Sequence, residues 1–272
     1  MLVRMVLGAL TLTASTVGGG ATAQVDPVEV SVFAAGSLRA AFTDAANEWQ
    51  ISKPNARVRF TFGASGLLKD RLMQGGERVD VFASANMEHP QALEKSGLAQ
   101  GVQRFATNAL CALVRPGLAV TSNSLVERML DPAVKLGTST PGADPSGDYA
   151  WEMFRRIEQT GTPDAFKALS TKALQLTGGV QSPPPPAGRN VYAVLVEQGA
   201  ADVFITYCTN SLVATREQPR LVSVKVPAAI NVSASYGIVV LKGASSLATD
   251  FADYLVSRDG QAVLARHGFS PR

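Results

Sequence analysis

The sequence runs to 272 residues, 46% hydrophobic and 17% charged, with a formal net charge of +3. That balance describes a globular protein with a sizeable core. It is too weakly basic to argue for nucleic acid or an anionic membrane surface, and no block of like charges adds to it.

The N-terminus sets the expected compartment. Met1 to Ala23 carries one early charge, Arg4, then the apolar stretch Met5 to Leu12, and ends in Ala21-Thr22-Ala23. A charged start, a short apolar run and a small-x-small end make up a secretory signal peptide. The run is too short for a permanent anchor, and no later segment reaches the ~18 apolar residues needed to span a bilayer. No cysteine follows it that could carry a lipid. The expected mature protein therefore begins near Gln24, exported to the periplasm and soluble, with room for two domains.

In chain order, Val28 to Ala34 reads as a buried strand. Leu38 to Gln50 reads as a helix, with Leu38, Ala41, Phe42, Ala45 and Trp49 on one face. Arg57 to Phe62 is the next strand, and Leu67 to Gln74 a second helix stopped by Gly75-Gly76. Val79 to Ala83 is a third strand. This βαβαβ order predicts a parallel sheet with helices on both faces. Further strands are expected at Ala109 to Val114, Val134 to Gly137, Val203 to Tyr207 and Tyr236 to Leu241. Helices are expected at Tyr149 to Gln159, Thr162 to Leu169 and Val191 to Gln198. A closing helical segment, Leu247 to Ala265, is interrupted near Arg258-Asp259-Gly260. Ser182 to Gly188 holds the prolines Pro183 to Pro186, a stiff polyproline II loop placed at the surface or a cleft mouth.

One stretch repeats. Gln74-Gly75-Gly76-Glu77-Arg78-Val79-Asp80-Val81-Phe82 resembles Glu197-Gln198-Gly199-Ala200-Ala201-Asp202-Val203-Phe204. Each is a helix end, a glycine stop and an aspartate opening a Val-Phe strand, as two lobes of similar construction would give. Any helix-to-strand junction could also look this way.

Three places share one local design. The strand ending at Ala34 runs into Ala35-Gly36-Ser37 before a helix. The strand ending at Phe62 runs into Gly63-Ala64-Ser65-Gly66 before a helix. Pro145-Ser146-Gly147 precedes a helix expected to start near Asp148-Tyr149. A helix start leaves backbone N–H groups unpaired and carries about half a positive charge. Glycine permits close approach and a serine hydroxyl adds a rotatable donor. Such an end suits an anion, and in open α/β sheets these ends gather where ligands bind. Any one of these serines alone is more often a simple cap, worth about 1 kcal/mol.

Catalysis and metals find little support. There is no G-x-S-x-G elbow and no lysine after the glycines as a P-loop needs. His89 and His267 read as surface residues, at no zinc-ligand spacing. Asp80 and Asp202 read as structural, and Arg39 as an exposed helix charge. Cys111 and Cys208 could pair in an oxidising compartment. Sequence cannot place them within bonding range, and two buried free thiols are an equal alternative.

At these residues the chain resembles the molybdate-binding periplasmic proteins of ABC importers, over nearly the whole mature length. Val32-Phe33-Ala34-Ala35-Gly36-Ser37-Leu38 and Phe62-Gly63-Ala64-Ser65-Gly66 resemble the first two binding turns. Asp80-Val81-Phe82-Ala83-Ser84-Ala85, Phe105-Ala106-Thr107-Asn108 and Pro145-Ser146-Gly147-Asp148-Tyr149-Ala150 resemble later signatures. So do Asn190-Val191, Ile205-Thr206-Tyr207, Gly260-Gln261-Ala262 and His267-Gly268-Phe269. Gly36, Ser146 and Asn210 depart from the common residues, and Thr177 to Gly188 looks like an insertion.

The resemblance implies a type II periplasmic-binding-protein fold: two doubly wound α/β lobes joined by two crossovers. One lobe would take 24–107 with 232–272, the other 108–231. It implies that Ser37 and Ser65 give hydroxyl and backbone donors, Ser146 and Val191 give backbone N–H groups, and Tyr207 gives its phenol. The ligand would be molybdate, with tungstate beside it, held with no cation, cofactor, Lys or Arg. The protein would be a monomeric receptor delivering its ligand to a membrane permease, and not an enzyme. The rival readings are the same receptor for another small anion, a sensor lobe for a membrane kinase, and an exported hydrolase.

Overall fold

The computed structural model describes residues 27–184 and 187–271. The signal peptide expected at 1–23, and Pro185 and Pro186 of the proline loop, lie outside the described residues.

The first strand, β1 (Val28–Ala35), is buried on both faces from Val30 onward. A near-continuous apolar run reads that way when a strand sits inside a sheet. It passes through a 3-10 turn (Gly36–Leu38) into α1 (Arg39–Ile51), whose buried stripe is Ala41, Phe42, Ala45, Ala46 and Trp49. Then come β2 (Ala56–Gly63), α2 (Ser65–Gln74), β3 (Val81–Ser84), α3 (Glu88–Lys95) and β4 (Ala99–Asn108). The chain crosses through Ala109 into β5 (Leu110–Val114), α4 (Leu125–Leu130), β6 (Leu136–Ser139), α5 (Pro145–Gln159) and α6 (Ala165–Lys172). Next are β7 (Leu174–Thr177), α7 (Val191–Glu197), β8 (Val203–Tyr207), α8 (Cys208–Glu217) and β9 (Val222–Lys225). It returns with β10 (Ala234–Leu241), α9 (Ser246–Val256), α10 (Arg258–Arg266) and β11 (Ser270–Pro271).

Two sheets result, ordered β11-β4-β10-β3-β1-β2 and β7-β6-β8-β5-β9. The predicted parallel set β2-β1-β3 is present, but each sheet is mixed: β10 runs antiparallel to β3 and β4, and β5 antiparallel to β8 and β9. The antiparallel strands β5 and β10 are those that follow the two crossovers, which strand-by-strand reading cannot orient.

The first lobe's core lies between its sheet and α1, α9 and α10. Phe42 meets Phe105 at 5.7 Å and Trp49 meets Phe251 edge-on at 5.2 Å. The second lobe buries Ala150, Met153, Phe154 and Ile157 of α5, spaced as an apolar stripe facing a sheet. The two crossover segments are tied to each other by Asn231, which accepts from Leu110 N–H and donates to Leu110 C=O, both at 3.0 Å.

The repeated stretch is one device used twice. Asp80 Oδ2 accepts from Ser31 N–H at 2.8 Å, and Asp202 Oδ2 accepts from Lys135 N–H at 2.8 Å. Each aspartate joins the start of a central strand to the neighbouring chain. Gly75 and Gly199, which end the preceding helices, both take positive φ, 74° and 71°, as a helix C-terminus requires. Cys111 and Cys208 are bonded to each other, tying β5 to the first residue of α8 across a separation of 97 residues.

Candidate anion-binding cleft

The first wall follows from strand register. β1 and β2 pair in parallel through eight residues, ending with Ala35 opposite Gly63. Their exit turns therefore emerge side by side. The residue capping each helical start is an alanine, Ala35 and Ala64, and neither makes a side-chain cap. Alanine forgoes about 1 kcal/mol at this position relative to Ser, Asp or Asn, and it leaves the first-turn amides without a side-chain acceptor.

The serines are not caps either. Ser37 Oγ lies 2.8 Å from Tyr236 Oη, and one proton of that pair remains to be donated. Ser65 Oγ accepts from Ala85 N–H at 3.1 Å, which leaves its own proton free. Ser65 is 1% exposed.

The second wall lies at the ends of β6, β7 and β8. Here α5 begins at Pro145, four residues before the expected start, with Asp144 as its cap. An aspartate followed by proline at the first helical position is a start signal that the sequence offered. The correction moves Ser146 inside the first turn. Its N–H donates to Asp144 Oδ1 at 3.0 Å, and its Oγ is buried without a partner. Val191 opens α7, capped by Asn190, whose Oδ1 accepts from Ala193 N–H at 3.0 Å. Thr177, read as the start of an insertion, is the buried last residue of β7.

Ser37, Ser65, Val191 and Tyr207 line one cavity of about 610 Å³. Ser146 does not line it. The two lobes touch at its edge: Gly66 N–H donates to Ala143 C=O at 3.0 Å, and Tyr149 Oη donates to Ala85 C=O at 3.3 Å. A Cβ on Gly66 would stand 2.6 Å from the Ala143 oxygen, so only glycine allows this approach.

Tyr207 is 2% exposed and its Oη has no hydrogen-bond partner. Burial pushes its pKa well up, with Tyr236 and Asp144 adding in the same direction. The phenol therefore stays protonated and is a donor. A buried unpaired hydroxyl is destabilising by about 1–3 kcal/mol, a loss that an anion in the cleft would offset.

Of the charged residues of the wall, sequence reasoning named Arg39 and missed Arg189 and Asp144. Arg39 is exposed, as expected, and also lines the cavity, with its guanidinium 4.5 Å from the Phe62 ring centre. Arg189 also lines it but is paired with Glu197 and Glu217. Asp144 lines it too. These residues lie in loops or first turns, where no periodicity marks them.

Residues 30–270 match the family model of bacterial extracellular solute-binding proteins. The chain belongs to that family. This solute-binding protein is 35% identical over 244 residues to uncharacterized protein PM1146 of Pasteurella multocida, covering 88% of this chain and 98% of the relative. It is 30% identical over 247 residues to the molybdate-binding protein ModA of Mycobacterium tuberculosis, covering 89% and 84%. The solved structure of the sulfate-binding protein SubI from Mycobacterium tuberculosis shares its fold, with a TM-score of 0.70 at 17% identity over 89% of this chain and 86% of that one. The two-lobed α/β architecture is that of periplasmic binding proteins, whose work is to hold a solute, not transform it.

The histidines sit apart from the cleft wall. His89 is half-buried in α3, not at the surface as expected, and burial pushes its pKa down to about 4. His267 Nε2 lies 2.8 Å from Asp44. Neither lines the cavity. Among the described residues no helix is long and apolar enough to cross a membrane, and no group of three His, Cys, Asp or Glu is arranged to hold a cation.

Proposed function

We propose that this solute-binding protein is the extracytoplasmic receptor of an ABC importer. It binds a small tetrahedral oxyanion, molybdate or tungstate, between its lobes and presents it to a membrane permease. The observation that carries this reading is the meeting of two helix starts lacking side-chain caps, each beside a serine, with the unpaired hydroxyl of Tyr207. Neutral donors fixed in a buried wall hold an anion through charge-assisted hydrogen bonds, and closure of the lobes strengthens them. The likeness to ModA supports molybdate over other anions. Binding leaves the ligand chemically unchanged.

A second reading keeps the receptor and changes the anion. Asp144, an acceptor at the same wall, favours it. Calorimetry of the mature protein with molybdate, tungstate, sulfate and phosphate separates the two. The proposal expects one-to-one binding of molybdate and tungstate in preference to the others. Heat from sulfate or phosphate with none from molybdate would overturn the choice of ligand, and silence from all four would overturn the oxyanion site.

A further inference from the structure

One group at the cleft wall is unexplained by an oxyanion site. Asp144 shares the cavity with Ser37, Ser65 and Tyr207. Its Oδ1 is fixed by Ser146 N–H. Its Oδ2 lies against Gly178, where a Cβ would stand 2.5 Å away. The carboxyl group is thus clamped between the first turn of α5 and the end of β7. An ionised carboxylate only accepts hydrogen bonds, and it repels any anion brought beside it.

Its surroundings do not supply a compensating cation. From α5 it faces Asp148; from β6 and β7, Ser139 and Thr177; from α7, β8 and β10, the phenols of Tyr192, Tyr207 and Tyr236. Of the cavity's charged lining, Arg189 is paired with Glu197 and Glu217, and Arg39 lies over Phe62. Among the described residues no salt bridge reaches Asp144. Burial, with Asp148 adding in the same direction, pushes this carboxyl up to about 6.

We propose that Asp144 is the specificity-determining residue of the cleft, admitting an oxyanion only together with one proton shared between its carboxyl group and the ligand. The inference rests on the oxyanion reading above. An unprotonated dianion such as molybdate binds when Asp144 takes a proton from solvent and donates it to a ligand oxygen. A hydrogen-bearing oxyanion such as monohydrogen phosphate brings the proton itself, and the carboxylate accepts it. In both complexes one proton lies between the carboxyl group and the anion, but the complex with monohydrogen phosphate carries one more negative charge than the complex with molybdate, which gained its proton from solvent. Tyr207 and Ser65, as neutral donors, serve either ligand.

The test is calorimetry of molybdate binding from about pH 6 to 9, in pairs of buffers with different heats of ionisation. The wild-type protein is expected to take up one proton per molybdate near pH 8, with affinity falling about tenfold per pH unit above the carboxyl's titration. Phosphate in its monohydrogen form is expected to bind without that uptake. Asp144→Asn keeps an oxygen for Ser146 N–H and supplies a neutral donor, so its molybdate affinity should be flat with pH and exceed wild type at pH 9. A flat wild-type profile with no proton uptake would overturn the proposal while leaving the oxyanion site standing. No binding of molybdate, sulfate or phosphate by either protein at any of these pH values would overturn both.

Discussion

The two walls of the cleft use the same order of strand, turn and helix, yet leave their helix ends in different states. On the first lobe the capping residues are Ala35 and Ala64, and no side chain takes the first-turn amides. On the second lobe Asp144 and Asn190 cap α5 and α7 with their own side chains. A helix start is therefore not an anion site by topology alone. One residue at the cap decides whether the helix's own side chain takes these amides or leaves them to other partners, as Gly66 N–H is left to Ala143 C=O. The walls also differ in how they are held. A disulfide fixes the second beside Tyr207, whereas the first rests on parallel strand pairing and a buried serine.

The largest way to break this contrast is to remove the disulfide. Urea denaturation of a Cys111→Ser, Cys208→Ser protein should show a loss of about 4–5 kcal/mol, as expected for a cross-link closing a loop this long.

Next come the serines. Ser37→Ala and Ser65→Ala should each weaken oxyanion binding by about 1.5–3 kcal/mol, through loss of a charge-assisted hydrogen bond. Ser65→Ala should also lower stability, because Ala85 N–H loses its acceptor. Ser146→Ala, away from the cavity wall, should leave affinity nearly unchanged. Equal effects at all three serines in titration calorimetry would erase the distinction between the walls.

A comparable effect follows from the Asp144 carboxyl. Its folded pKa of about 6 lies above the ordinary 3.8, so its contribution is fully present below 3.8 and is lost as pH rises through about 6. Asp144→Asn should therefore raise the unfolding free energy of the ligand-free protein by about 2–3 kcal/mol at pH 8, with much less gain near pH 3.5. Denaturation at the two pH values checks this sign. The smallest change converts one wall toward the other. Ala64→Asp should stabilise the empty protein by about 1 kcal/mol as a helix cap, while weakening anion binding by removing free amides and adding a like charge.

Much of the first wall was legible before any coordinates. Val32 to Ser37 and Phe62 to Gly66 declare strand, glycine and serine in order, and parallel pairing brings them together. The second wall was harder to read because its signals are local and polar. Asp144-Pro145 marks a helix start, but the apolar stripe begins only at Ala150, so periodicity alone starts the helix late and puts Ser146 before it instead of in its first turn. Helices α3, α4 and α8 and strands β4, β7 and β9 went unread, being short, polar or partly exposed. The cysteine pairing is not legible in the sequence, because bonding needs β5 and α8 to meet, which is a property of the sheet order. Arg39 illustrates the limit: its sequence position gives a helix surface, and only the neighbouring strand supplies Phe62 beneath it.

The central claim is that an oxyanion sits between the two walls, and a crystal structure of the protein with tungstate, phased on tungsten's anomalous scattering, tests it most directly. The account predicts one strong peak within hydrogen-bond reach of Ser37, Ser65 and Tyr207. A cleft without that peak, or tungsten bound only elsewhere on the surface, would contradict it.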